Sequence, residues 1–145
     1  MFGYPLYGVR FPASQDLLRD LANAINGEYS AIACYERLAK LAPDEETRRR
    51  IMEIREDEIR HYQQFSRFYY QLSGRQPTPK LSEECPDEYG AGLTYAFKDE
   101  QHTVDFYLDM AEKAQDPVMR DSIKRAAADE QNHAVWFQHF MIQRR

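Results

Sequence analysis

Two short stretches hold residues that could do chemistry, "DEIRH" at 57–61 and "DEQNH" at 129–133. In each, a glutamate and a histidine stand three residues apart, so on a helix both project from one face. Carboxylate and imidazole side by side are metal-ligand types, and the second copy doubles the set. A single Glu-x-x-His is common on solvated helix faces and says little by itself. The pattern around the two copies carries the argument.

That pattern is four apolar stripes with steps of three, four and seven, the spacing of bundle helices. The first holds Leu18, Leu21, Ile25, Ile32, Tyr35 and Ala39, and Glu28 fills the gap in it. The second holds Ile51, Ile54, Phe65, Phe68 and Leu72, with Glu58 and His61 in the gap. The third carries Leu93, Phe97, Val104, Tyr107 and Ala111 around Glu100, and the fourth Ile123, Ala126, Phe137 and Phe140 around Glu130 and His133. Four carboxylates and two imidazoles therefore face inward. Glu28 lies 14 residues before Ala42, and Glu58 lies 14 after Asp44. At about 1.5 Å per residue both sit roughly 21 Å from the turn between them. Burying even one unpaired carboxylate costs several kcal/mol, and four like charges make it worse. Two divalent cations cancel four carboxylates, and mixed oxygen and nitrogen donors suit iron or manganese.

The elements that position these residues form a repeat. Shifting the chain by 72 residues aligns Leu21 with Leu93, Glu28 with Glu100, Tyr35 with Tyr107, Asp57 with Asp129, Glu58 with Glu130 and His61 with His133. In all, 14 identities fall in the 48 gapless pairs from Leu21 to Phe68, which describes two helical hairpins in one all-α bundle. Pro43 stops the first helix and Asp44 caps the second. Residues 1–13, with four aromatics, two glycines and two prolines, read as an extended aromatic arm, and Ser14 reads as the N-cap that follows. The bundle then spans 14–145, as a hairpin over 14–73, a crossover over about 74–88 and a hairpin over about 89–143. A connection of about 15 extended residues reaches roughly 50 Å, enough to run the length of a helix. One long crossover between two short-looped hairpins describes a ferritin-like four-helix bundle better than a simple up-down one.

At 145 residues the chain is expected to be one domain, and its net charge of −5, from 19 Lys+Arg against 24 Asp+Glu, gives no basic run for nucleic acid and no membrane patch. There is no signal-peptide pattern and no apolar run of membrane-spanning length. The two cysteines, Cys34 and Cys85, form no C-x-x-C pair, so a reducing, cytoplasmic compartment is expected and a disulfide is not. Cys34 reads as a packed thiol, and His102 and His139, off the stripes, as surface residues. Gly27, inside a helix, marks either a local bulge beside Glu28 or close helix packing.

The six-residue set resembles that of the ferritin-like di-iron carboxylate proteins, and within them the rubrerythrin-like branch without its rubredoxin domain. The pattern is one Glu from each of two helices and Glu-x-x-His from each of the other two. The resemblance covers roughly residues 14–143. It implies Glu28, Glu58, His61, Glu100, Glu130 and His133 as ligands and catalytic residues of two iron ions (manganese as the alternative), with Glu58 and Glu130 bridging. It also implies that Asp57 orients His133 and that Asp129 orients His61, the alternative being solvated helix-face charges. Tyr35 and Tyr107 either hydrogen-bond ligand carboxylates across the bundle or are plain core tyrosines.

The chain departs from full-length rubrerythrins in lacking their two C-x-x-C pairs. Thr103 stands where they carry a further carboxylate, so the set is more similar to a bacterioferritin oxidation centre. The expected activity is oxidation of Fe(II) or reduction of dioxygen or peroxide at mid-bundle. The alternatives are a metal-binding bundle without turnover, a bundle that docks into a larger assembly through Phe2, Tyr4, Tyr7 and Phe11, and a di-manganese catalase-like protein. The expected partners are dioxygen or hydrogen peroxide, Fe(II), an external electron donor and a second copy in a homodimer, with no nucleic acid and no membrane.

Overall fold

The tight turns are closed by the residues the sequence puts there. Helix α1 (Gly3–Leu41) ends just before Pro43, and the Asp44 carboxylate accepts a hydrogen bond from the Thr47 amide at 2.8 Å to open α2 (Glu45–Ser73). Gly74 ends α2 at a φ of 73°, in the left-handed region where a side chain is disfavoured. The Glu88 side chain accepts from the amides of Gly90 and Ala91 to open α3 (Tyr89–Lys113). Asp116 caps α4 (Pro117–Gln143), whose Pro117 sits in the first turn, where its missing amide proton leaves no intrahelical bond unmade. The computed structural model describes residues 3–82 and 84–144, with side chains from residue 15 onward.

The connection from α2 to α3 runs alongside α1 and in the same direction. The Lys80 amide donates to Asn26 Oδ1 at 2.9 Å, the Ser82 amide to Ser30 Oγ at 2.8 Å, Cys85 is bonded to Cys34, and Asp87 pairs with Arg37. Each step along the connection thus climbs the α1 surface by about a turn. It delivers α3 to the far end of α1, where Gly92 packs so closely on Leu38 that an added Cβ would lie 2.7 Å from Leu38 Cδ1. At its other end α3 meets the start of the α1 core, with Lys113 Nζ 2.6 Å from Asp20. Helices α1 and α3 are therefore antiparallel neighbours, α2 packs on α1 and α4, and the long crossover makes this arrangement possible.

The apolar core is in two parts. One contains Leu17, Leu21, Ile25, Phe65, Met110 and Ile123, the other Tyr35, Leu38, Ile51, Ile54, Leu93 and Phe137. Between them lie the buried Glu28, Glu58, His61, Glu100, Glu130 and His133. The expected stripes hold with small shifts. Leu17 rather than Leu18 enters the core, because the steps of four, three and four from Leu17 through Leu21 and Ala24 lead to Glu28. Leu72 is exposed, since it lies in the last turn of α2, beyond Phe68.

Three expectations are corrected. The backbone is helical from Gly3, so 1–13 is not an extended arm and Ser14 lies inside α1; Pro5 falls in the first turn, where proline is tolerated. The side chains of Phe2, Tyr4, Tyr7 and Phe11, and any docking through them, lie outside the described residues. Gly27 marks neither a bulge nor a close approach: α1 is α-helical throughout, and nothing lies within 4 Å of a Cβ built there. Cys34 is not a free thiol, because it is disulfide-bonded to Cys85 across a sequence separation of 51, with Cα atoms 5.3 Å apart. The return of the crossover along α1 creates that proximity. The pairing removes the cysteine argument for a reducing compartment. No helix among the described residues is long and apolar enough to cross a membrane.

Candidate metal centre

Helices α2, α3 and α4 contribute to the polar layer at the middle of their lengths, and α1 about two-thirds of the way along. Glu28 from α1 and Glu100 from α3 stand alone, while α2 supplies Glu58 with His61 and α4 supplies Glu130 with His133. All six are at most 2% exposed. His61 Nδ1 lies 2.7 Å from Glu28 Oε2, 3.1 Å from Glu130 Oε1 and 3.2 Å from Glu58 Oε1. His133 Nδ1 lies 3.3 Å from Glu100 Oε2, 3.5 Å from Glu58 Oε1 and 3.7 Å from Glu130 Oε1.

These donors fall into two overlapping groups. Glu28, Glu58, His61 and Glu130 each offer one atom within 4.8 Å of the others, and so do Glu58, Glu100, Glu130 and His133. Glu58 and Glu130 belong to both. Four buried atoms in this layer have no hydrogen-bond partner: Glu58 Oε1, Glu100 Oε2, Glu130 Oε1 and His133 Nδ1. Buried polar atoms are nearly always satisfied, and four failures at one point, all ligand-type lone pairs, fit a pair of cations shared between two carboxylates. The structure therefore brings together all six residues singled out in the sequence.

The surrounding residues pin these side chains. His61 Nε2 is 2.8 Å from Asp129 Oδ2, and His133 Nε2 is 2.7 Å from Asp57 Oδ2. Each aspartate accepts a hydrogen bond from Nε2–H, which turns Nδ1 inward. Both aspartates are themselves paired, Asp57 with Arg60 and Asp129 with Arg125. The Tyr35 hydroxyl donates to Glu100 Oε1 at 2.6 Å, and Tyr107, its mate in the repeat, is buried beside Glu28. Of the two readings left open for each, the aspartates orient the histidines and Tyr35 bonds a carboxylate.

Protonation follows from burial and like charge. Desolvation, then repulsion from Glu100, holds Glu58 and Glu130 well above the usual carboxylate range. Desolvation also raises Glu28, despite the His61 hydrogen bond. Burial pushes Glu100 the same way, but the positive charge of His133, whose Nδ1 lies 3.3 Å from Oε2, prevails and lowers it. Burial alone would depress His133; the hydrogen bond to Asp57 and the charges of Glu58 and Glu100 instead lift it to about 10, and His61 moves in the same direction. The hydrogen bond with His133 brings Asp57 down to about 2. Without metal, imidazolium protons and protonated carboxyls relieve the charge that cations would otherwise balance.

No protein-family model matches the chain. The uncharacterized protein YhjR of Bacillus subtilis is 50% identical over 143 residues, covering 99% of either chain. The chain belongs to the YhjR family. Among solved structures, ferritin-like, diiron-carboxylate proteins from Bacillus anthracis are similar in fold, with a TM-score of 0.79 and 22% identity over 89% of this chain and 97% of that one. A hypothetical protein from Pyrococcus furiosus follows at a TM-score of 0.76 and 20% identity, covering 86% of this chain and 87% of that one. The fold is ferritin-like.

Two groups at the site escape a reading by stripes, Arg60 and Arg125. Both are largely exposed and meet the polar layer through the aspartates. Their signal is the i, i+3 and i, i+4 spacing to Asp57 and Asp129. They do not obey the repeat, since Asn132 stands where a copy of Arg60 would be and Glu53 where a mate of Arg125 would be. His102 and His139 are exposed and outside the layer, as expected.

Proposed function

We propose that this bundle binds two iron ions and uses them to oxidise Fe(II) at the expense of dioxygen or hydrogen peroxide. The observation that carries the reading is the pair of overlapping donor groups sharing Glu58 and Glu130, with unsatisfied buried atoms turned into the space between them. Glu28 and His61 would hold one ion and Glu100 and His133 the other. Two adjacent iron ions supply one electron each, so a two-electron oxidant is reduced without release of a radical.

The chain's own residues set the conditions for that chemistry. Asp57 and Asp129 hold the imidazoles with Nδ1 toward the ions, and their own charge is met by Arg60 and Arg125, leaving the four glutamates to balance the metal. Tyr35 and Tyr107 are kept protonated by burial and by the nearby carboxylates, so neither acts as a base, and Tyr35 is a fixed donor to Glu100. Phe65 and Phe137, both fully buried, close the layer on either side and limit water. Ile32 and Val104 are half-buried and form the thinner cover through which a small oxidant would pass. The cytoplasm is the proposed compartment, where a disulfide is usually of the transient, redox-active kind.

Elemental analysis of protein matured in iron-replete cells, followed by stopped-flow mixing with Fe(II) and oxygen, tests the proposal. About two iron ions per chain and a fast ferric absorbance, both lost in Glu130→Ala, are expected. Iron bound without accelerated oxidation by either oxidant would leave a metal-binding bundle without turnover. Manganese alone in the purified protein, with disproportionation of peroxide, would replace the iron reading with a catalase-like one.

A further inference from the structure

The disulfide is asymmetric and sits at the mouth of a groove. Cys34, on α1, is 3% exposed, whereas Cys85, on the crossover, is only half-buried. Both line an open groove of about 590 Å³ with Ser30, Arg37, Leu81 and Asp87. The sulfur on the crossover is thus the one an incoming thiolate meets first.

The crossover has other ties to α1 on both sides of that bond. On one side the Lys80 and Ser82 amides are tied to Asn26 and Ser30, and on the other Asp87 is tied to Arg37. With the S–S bond open, these flanking ties would still draw the crossover along α1 beside Cys34. A structural staple would be expected where nothing else holds the segment.

On its inner side the pair adjoins a residue that touches the polar layer. Cys34 belongs to the same packed cluster as Tyr35, the next residue in the chain, with Cys85 against it. The Tyr35 hydroxyl donates to Glu100 Oε1. A groove open to solvent, an exchangeable disulfide and a ligand-type carboxylate are thereby joined through one short stretch of α1.

We propose that Cys34–Cys85 is a thiol-exchange site through which a dithiol reductant supplies the two electrons that return the metal pair to its ferrous state. The inference rests on the oxidation reading above. One thiolate of the reductant attacks Cys85 Sγ, the S–S bond breaks, and Cys34 leaves as a thiolate and takes up a proton. The second thiol of the reductant then resolves the mixed disulfide, releasing Cys85 and leaving the reductant oxidised. The two protein thiols next give up two electrons and two protons, re-forming their disulfide as two ferric ions become ferrous.

The test counts thiols on the folded, full-length protein. Oxidised protein is treated anaerobically with dithiothreitol, freed of it, loaded with Fe(II) and given one equivalent of hydrogen peroxide per chain. Samples are alkylated for mass measurement while ferric absorbance is followed. About two alkylatable thiols per chain should appear after dithiothreitol and vanish after peroxide. The ferric signal should be transient in wild type and persistent in Cys34→Ser/Cys85→Ser, and in Glu28→Ala/Glu130→Ala the thiols should outlast those of wild type. The wild-type thiol count stands even if a variant fails to fold. Thiols that survive beside a lasting ferric signal would overturn the exchange site and leave the oxidation reading intact. Absence of any ferric signal, with thiols lost equally in wild type and Glu28→Ala/Glu130→Ala, would overturn both.

Discussion

The bonds from Asp57 to His133 and from Asp129 to His61 fix which imidazole nitrogen faces the centre. Asp57→Asn and Asp129→Asn keep the side-chain shape but remove the charge that holds the ring. Each is expected to weaken metal binding roughly 10–100-fold with the fold unchanged, as measured by competition with a chelator. Unchanged affinity in both would make these aspartates passengers. At this scale the site was legible in the sequence because Glu28, Glu58, His61, Glu100, Glu130 and His133 interrupt apolar stripes, and burial of a carboxylate demands a reason. Arg60 and Arg125 were not legible, because an exposed arginine near an aspartate is what any helix surface offers.

Among the elements, two glycines should respond in opposite ways. Gly27 lies in a regular turn of α1 with nothing within 4 Å of a built Cβ, so Gly27→Ala is expected to stabilise the protein by up to about 1 kcal/mol. Gly74 closes α2 at a φ of 73°, so Gly74→Ala should destabilise by about 1 kcal/mol. Urea unfolding of the two variants checks both signs, and a loss of stability in Gly27→Ala would show a packing demand at that turn. Four helices, their turns and the crossover were readable from periodicity, Pro43, Asp44 and the 72-residue shift. The first turns of α1 were not, because Pro5, Pro12 and the glycines nearby read as breakers. The Cys34–Cys85 bond was hidden too, since only the path of the crossover along α1 brings residues 51 positions apart into contact.

For the whole molecule, metal and protons compete to balance one buried charge. A carboxyl whose value is raised on folding, as at Glu58 and Glu130, favours the fold at low pH and loses that contribution as pH rises through the raised value. His133 behaves alike: its contribution is complete below its ordinary 6.5 and is lost as pH rises toward about 10. Glu100, lowered, opposes them, and Asp57 matters only in acid, as pH falls toward about 2. Metal-free protein should therefore lose stability between pH 6.5 and about 10, while bound cations, which displace these protons, spare the loaded form. The gap in melting temperature between the two forms is expected to widen across that window in differential scanning calorimetry. A gap that narrows with pH would mean that protons do not occupy the metal's place.

Three bonds that hold the polar layer cross from one hairpin to the other: Tyr35 to Glu100, Asp57 to His133 and Asp129 to His61. Neither half can complete a site alone, yet two copies of a single half would contain every residue required. Joining the copies in one chain makes their meeting independent of concentration. It also releases each copy from serving both roles. Cys34 in the first hairpin has Phe106 as its counterpart in the second, and the sulfur it bonds lies in the segment that joins the copies. A pair of separate, identical halves could not carry that one-sided chemistry; the seam left by their union is where it resides.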